Sequence, residues 1–137
     1  MTLTDEQIRL IKDSIPKVRE HLKPASTDFY ETLFSIDPGL RPMFREDLAG
    51  QGMKFFSTLN TIAFLLDDPE SLDNELNGLA ASHSALGVRR EHFEPMGSAL
   101  MITMGETLGP DFTPELRDAW RAAFAEIRDR MVVLADA

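Results

Sequence analysis

The 137 residues, 43% hydrophobic and 27% charged, fit one globular domain over 1–137 that is large enough to enclose a small cofactor. With 14 basic and 23 acidic residues the formal net charge is −9, so we expect neither nucleic acid nor an anionic membrane surface as a partner. Cysteine is absent, which excludes disulfides, thiolate-bound metals and cysteine nucleophiles. The charged N-terminus, MTLTDEQIRLIKD, lacks the apolar core of a secretory signal, so we expect a cytoplasmic protein.

The first half of the chain has helical periodicity. Thr4, placed before DEQ, predicts a capped first helix. Its apolar stripe is Ile8, Ile11, Ile15 and Val18. The segment HLKPAS breaks the pattern, and STDFYETLF predicts a second helix. Asp37 followed by Pro38 predicts a brief third helix that ends near Phe44, and the polar segment REDLAGQG then predicts a loop or a single loose turn.

The second half contains three longer helical patterns and one that ends at a histidine. A fourth helix is predicted from about 51 to 66, and DDPE separates it from a fifth. The stripe of the fifth helix is Leu72, Leu76, Leu79 and His83, and Gly87 predicts its end. A long helix is predicted from about Arg89 to Leu108, and Thr113 with Pro114 caps a last helix. No segment has the alternation of a strand, so the predicted fold class is all-α.

His83 is a candidate metal ligand because it continues an apolar stripe four residues after Leu79. Burying an imidazole without a partner costs about 1–3 kcal/mol, so it needs a hydrogen bond or a metal. Residue type and spacing alone favour a core histidine with a hydrogen bond. No second metal-binding side chain stands at chelating spacing, which leaves a metal that brings its own ligands, most commonly haem. The other two histidines, His21 and His92, have the sequence context of surface residues.

Two polar residues also fall beside apolar stripes. Tyr30 is the only tyrosine and shares a helix with Phe29 and Phe34; taken singly, it is best interpreted as an aromatic at the edge of the core. Gln51 precedes Phe55 by four residues, so its amide lies on the apolar side of the fourth helix. If both faced one cavity, each would need a partner, which a bound polar ligand could supply.

Four ordered motifs give the chain a family resemblance. They are STDFYETLF, DPGLRPMF, SHSALGVRREHF followed by PMGSALMITM, and FTPELRDAWRAAF, and they cover nearly the whole sequence. In this order they resemble bacterial single-domain globins and the globin domains of flavohaemoglobins. Tyr30 and Phe44 have the spacing of the family's distal tyrosine and of the phenylalanine that packs on the haem. Phe55 and His83 have the spacing of its distal apolar residue and proximal histidine, which puts Gln51 at the distal polar position.

The resemblance implies a globin fold with a pocket for haem b between the fourth and fifth helices. It implies that His83 binds the haem iron and that Tyr30 and Gln51 contact the iron's diatomic ligand. The implied pocket wall consists of Phe44, Phe55, Val88, Phe93, Met96 and Leu100. Lys54 is placed to reach a haem propionate, although a solvated surface lysine explains it equally well.

The resemblance further implies reversible binding of O2, and of NO or CO, with no catalytic residue assigned. The alternatives are a nitric oxide dioxygenase that depends on a separate reductase and a gas-sensing haem module. The dioxygenase alternative would need a separate reductase, because no flavin- or nicotinamide-binding domain follows before Ala137. Phe93 and Ala135 replace the proximal tyrosine and glutamate of the flavohaemoglobin pattern, which implies a weaker push toward O–O cleavage.

Overall fold

The computed structural model describes residues 3–43, 48–85 and 90–136. Within these ranges, the side chains of 22–24, 26, 43, 48–51, 80–85, 90 and 134–136 lie outside the description. The α-helices are α1 (Asp5–Glu20), α2 (Leu22–Ile36), α3 (Leu48–Phe64), α4 (Pro69–Ala85), α5 (Arg90–Leu108) and α6 (Pro114–Asp136). Two 3-10 helices span Pro38–Met43 and Gly109–Asp111. The described ranges contain no strand, and the all-α prediction is confirmed.

The predicted start signals act as caps. The Thr4 hydroxyl accepts a hydrogen bond from the Gln7 backbone N–H at 3.1 Å, and the Gln7 side chain accepts one from the Thr4 N–H at 3.0 Å. At α6, the Thr113 hydroxyl accepts from the Leu116 N–H at 3.2 Å. These bonds satisfy amides that have no acceptor inside the helix, so both helices start where the sequence predicts.

Two predicted breaks extend over fewer residues than expected. HLKPAS interrupts the helices only at His21, because α2 begins at Leu22 and includes Pro24. Pro24 is tolerated there because the amides of a helix's first turn have no intrahelical acceptor for proline to remove. The loop predicted in REDLAGQG is also shorter than expected, because α3 begins at Leu48 rather than near residue 51. The brief third helix exists, but as the 3-10 helix Pro38–Met43.

The helices pack around one apolar core. Helix α2 packs on α3 and α5, and both α1 and α4 pack on α6. Helices α5 and α6 are antiparallel neighbours joined through the 3-10 helix Gly109–Asp111. Among the fully buried side chains are Phe29, Phe56, Leu100 and Trp120. No helix in the described ranges combines the length and the apolar character that crossing a membrane requires.

A buried hydrogen bond holds α1 against α6. The indole Nε1–H of Trp120 donates to the Ser14 hydroxyl at 3.0 Å, and that hydroxyl donates to the Ile11 carbonyl at 2.6 Å. Trp120 and Ser14 are 1% and 4% exposed, so water does not compete for either group. This hydrogen bond fixes the register between α1 and α6, the first and last helices of the fold.

Candidate haem-binding site

Tyr30 is a buried phenol on the inner face of α2, with 4% of its surface exposed. Its ring stacks on Phe34, four residues later, at a centroid distance of 5.8 Å and an interplanar angle of 19°. The Phe29 ring meets it edge-on at 5.2 Å. Burial raises the pKa of Tyr30 to about 12, because the phenolate would lose its hydration. The phenol is protonated at neutral pH, as it would also be at its ordinary pKa of 10.0, and it lies in an aromatic environment.

Phe55 lies on α3 and is brought beside Tyr30 by a shared neighbour. The Phe55 and Phe29 rings are stacked at 4.6 Å with an angle of 12°, and both meet the Phe56 ring edge-on. Phe29 and Phe56 are fully buried, whereas Phe55 remains partly exposed. Phe29 thus connects the two predicted distal residues, Tyr30 and Phe55, through direct ring contacts on either side.

Three predicted pocket residues lie on α5, which packs on α2. Leu100 is fully buried, Phe93 is 7% exposed, and Met96 is partly buried against the same core. Phe93 also lines a groove between α5 and α6. Lys54 is exposed on α3, one residue before Phe55. An exposed amine is compatible both with a contact to a haem propionate and with a solvated surface lysine. The roles of these four residues toward haem stay predictions.

The predicted iron ligand lies on a helix whose described part agrees with the stripe. Helix α4 runs through residue 83, and Leu72 and Leu76 are fully buried. Leu79 is partly buried and packs on the core. The side chains of His83 and Gln51 lie outside the described residues, as do Phe44 and Val88 entirely. Their predicted roles therefore stay predictions.

The helices that carry the predicted distal and proximal residues are supported by different neighbours. Helix α3 packs on α2 and α1, whereas α4 packs on α6. Within the described ranges, α3 and α4 share no substantial packing with each other, although a turn of a few residues joins them. This arrangement is compatible with the haem pocket predicted between α3 and α4, and the positions of Tyr30 and Phe55 relative to haem stay predictions. No three His, Asp or Glu side chains of the described ranges converge on a metal-sized site.

Sequence reasoning missed the residues that support Tyr30. Phe29 and Phe34 counted only as members of an apolar stripe, yet they pack on two sides of the phenol. The Arg41 guanidinium lies 5.4 Å from the centre of the Phe34 ring, on the side away from the core. The i, i+4 spacing of Tyr30 and Phe34 was a usable signal, whereas the stack of Phe29 on Phe55 has no local signature.

Comparisons with known proteins agree with this geometry. The family model described as Globin matches residues 27–131. The flavohemoprotein of Bordetella pertussis is 31% identical over 133 residues, which cover 95% of this chain and 33% of that protein. An uncharacterized globin-like protein of Aquifex aeolicus is 30% identical over 132 residues, covering 96% of this chain and 94% of that protein. The chain spans about a third of the length of the flavohemoprotein it matches.

Two solved structures superpose closely on the fold. A bacterial globin from Campylobacter jejuni gives a TM-score of 0.87 at 25% identity, over 97% of this chain and 96% of that one. An engineered carbene transferase from Rhodothermus marinus, whose name carries the assignment nitric oxide dioxygenase, gives a TM-score of 0.88 at 27% identity. That match covers 98% of this chain and 94% of the other. The fold thus defines an α-helical protein of the globin class.

The chain belongs to the globin family. Membership implies haem binding, and the predicted globin fold is confirmed. The match to the family model begins within α2 and extends through most of α6, so it covers Tyr30, Phe55 and the α4 segment with His83.

Proposed function

We propose that this protein holds haem b and reversibly binds O2, NO and CO, with His83 as the proximal ligand and Tyr30 and Gln51 on the distal side. The observation that carries the proposal is Tyr30, a phenol that is buried beside the stacked pair Phe29 and Phe55. A donor in apolar surroundings suits a small ligand that gains negative charge when it binds.

Each residue of the proposed site has a distinct task. Haem, when bound, supplies an iron atom that can bind one diatomic ligand. The neutral imidazole of His83 would hold that iron through Nε2. Tyr30 would donate to the diatomic ligand, and a hydrogen bond to a charged acceptor contributes roughly 1.5–3 kcal/mol. Gln51 would add a second donor, and Phe55, held by its stack on Phe29, would exclude water.

Absorption spectra of the ferric, ferrous and CO-bound forms test cofactor and proximal ligand together. We expect His83→Ala to lose haem or to bind it loosely. His21→Ala and His92→Ala remove the other two histidines and should retain haem and the wild-type spectra. If protein with His83 intact binds no added hemin, or if His83→Ala keeps the wild-type spectra, the proposed ligation is wrong.

The distal donor is tested by the rate of O2 release. Tyr30→Phe keeps the ring and removes only the hydroxyl, so O2 should dissociate at least about ten-fold faster for the loss of about 1.5 kcal/mol or more. CO gains less negative charge than O2, so the CO release rate of the same variant is the internal control and should change less. An unchanged O2 release rate would mean that the phenol does not contact the ligand.

A second candidate function is nitric oxide dioxygenation. It is favoured by the flavohemoprotein relatives and by the structural neighbour that is assigned as a nitric oxide dioxygenase. Conversion of one NO and one O2 to nitrate takes up one electron, so turnover needs a reductase. NO consumption by oxygenated protein, measured with and without an added flavin reductase, separates the two functions. Consumption that stops after one equivalent despite the reductase contradicts the enzyme and leaves the binding protein.

A further inference from the structure

The ring of Tyr30 belongs to a stack of side chains that continues to the protein surface. The Phe34 ring lies nearly parallel to it, with centroids 5.8 Å apart and an interplanar angle of 19°. The Arg41 guanidinium lies over the Phe34 ring, 5.4 Å from its centroid. Tyr30 is buried, Phe34 is partly exposed and Arg41 is exposed. One aromatic ring thus connects a surface cation to the buried phenol.

Arg41 reaches Phe34 because the chain turns sharply where α2 ends. The Asp37 carboxylate accepts a hydrogen bond from the Gly39 N–H at 3.1 Å, and the Asp37 carbonyl accepts one from the Leu40 N–H at 3.1 Å. The Leu40 side chain is buried in the core. These contacts hold the 3-10 helix that contains Arg41 against the end of α2.

The two aromatic neighbours of Tyr30 restrict different movements of its ring. Phe29 meets the ring edge-on at 5.2 Å, whereas Phe34 covers it with a flat surface. Rotation of the ring about its own axis leaves the hydroxyl oxygen in place, but a tilt of the ring moves that oxygen. Hydrogen bonds weaken steeply as their angle departs from linear, so a tilt would weaken any bond that the hydroxyl donates.

We propose that Phe34 and Arg41 are positioning residues of the distal site, which hold the Tyr30 ring in the orientation in which its hydroxyl donates to the bound diatomic ligand. This role rests on the proposed function, because it concerns the donor that Tyr30 supplies there. Phe34 acts on the phenol directly, and Arg41 acts by fixing the Phe34 ring. Loss of either side chain should therefore increase the rate at which O2 dissociates.

The first test is the O2 release rate of the holoprotein. Arg41→Met removes the cation from an exposed position and should release O2 about two- to five-fold faster, the factor that corresponds to an exposed cation–π contact of about 0.5–1 kcal/mol. Arg41→Lys keeps a cation and should stay within about two-fold of the wild type. Phe34→Leu removes the stacked ring itself and should release O2 up to about ten-fold faster.

A second cation–aromatic pair supplies matched controls. The Lys12 ammonium on α1 lies 5.0 Å from the centroid of the Phe64 ring on α3. Phe64 is 68% exposed and has no ring contact with Tyr30 in the part of the chain that the structure describes. Lys12→Met and Phe64→Leu make the same chemical changes as the test variants, and both should release O2 at the wild-type rate.

Two further measurements separate positioning of the phenol from a general effect on the pocket. In a chain that already carries Tyr30→Phe, neither Phe34→Leu nor Arg41→Met should change the O2 release rate further, because the hydroxyl is absent. The second measurement is NMR of the CO-bound ferrous protein labelled with 13C-tyrosine, which reports on Tyr30 alone because the chain has one tyrosine. Phe34→Leu and Arg41→Met should speed the flips of this ring, and the control variants should not.

The outcomes distinguish this positioning role from the proposed function. If Tyr30→Phe releases O2 faster while Phe34→Leu and Arg41→Met keep the wild-type rate, the positioning role is overturned and the distal donor stands. Effects of equal size in the presence and absence of the Tyr30 hydroxyl, or ring flips that do not change, would also overturn it. If Tyr30→Phe itself leaves the rate unchanged, the distal donor and the positioning role both fail.

Discussion

Replacing Tyr30 by phenylalanine should change how the stability of the protein depends on alkaline pH. Burial raises the pKa of Tyr30 from 10.0 to about 12, so between these values the unfolded chain releases the phenolic proton while the folded chain retains it. The unfolded state then binds fewer protons, and the free energy of unfolding falls as pH rises through this window. The contribution is unchanged below the lower pKa and falls by about 1.4 kcal/mol per pH unit between the two values.

The assay is chemical denaturation of wild type and Tyr30→Phe at about pH 8 and about pH 11. The wild type should lose about 1.4 kcal/mol more than the variant between these conditions, because only the wild type carries the phenol. Tyr30 is the only tyrosine, so the ultraviolet absorbance of tyrosinate in the native wild type reports its ionisation directly. Equal losses in the two proteins, or tyrosinate formation near the ordinary pKa of 10.0, would show that the phenol is solvated.

Two further predictions concern packing. Ser14→Ala leaves the buried Trp120 indole N–H without its acceptor and should lower the free energy of unfolding by about 1–3 kcal/mol, as measured by urea denaturation; no change would mean that water replaces the hydroxyl. Gly97→Ala should cost about 1–3 kcal/mol because its β-carbon would lie 2.8 Å from the Phe124 ring. Gly78→Ala is the matched control, with nothing within 4 Å of the added carbon, and should stabilise α4 by about 0.5–1 kcal/mol. Equal melting shifts for the two alanine variants would contradict this interpretation of the α5–α6 contact.

The positions of the helices could be predicted where capping residues mark the start of a helix in the sequence. Thr4 with Gln7, and Thr113 with Pro114, carry the start signals of α1 and α6, and the apolar spacing identifies the faces that are buried. The errors fell at Pro24 and at the residues before Gln51, where composition alone was taken as a break. Proline and glycine interrupt a helix in its interior but are accepted in its first turn, and the sequence does not show which of these positions they occupy until the start is known.

The candidate site was less accessible to sequence reasoning than the fold. Taken alone, Tyr30 was interpreted as an aromatic at the edge of the core, and its burial was not expected. The family resemblance assigned Tyr30 and Phe55 to the same site, but it did not explain why the two residues lie close together. That reason is Phe29, which packs against both rings across two helices. A contact between residues 26 positions apart depends on how α2 and α3 pack, and spacing along a single helix carries no information about it.

The distal side of the proposed site cannot by itself distinguish O2 binding from nitric oxide dioxygenation, because a protonated Tyr30 stabilises a negatively polarised ligand in both cases. The distinction depends on the proximal side, where a hydrogen-bond acceptor for the imidazole increases electron donation to the iron. At the position where flavohaemoglobins carry a tyrosine, this chain has Phe93, which is 7% exposed and has no hydroxyl to join such a network. In the proposed site, the Tyr30 phenol on the distal side combined with Phe93 in place of the proximal tyrosine favours holding the ligand over cleaving its O–O bond. We therefore rank reversible binding above dioxygenation.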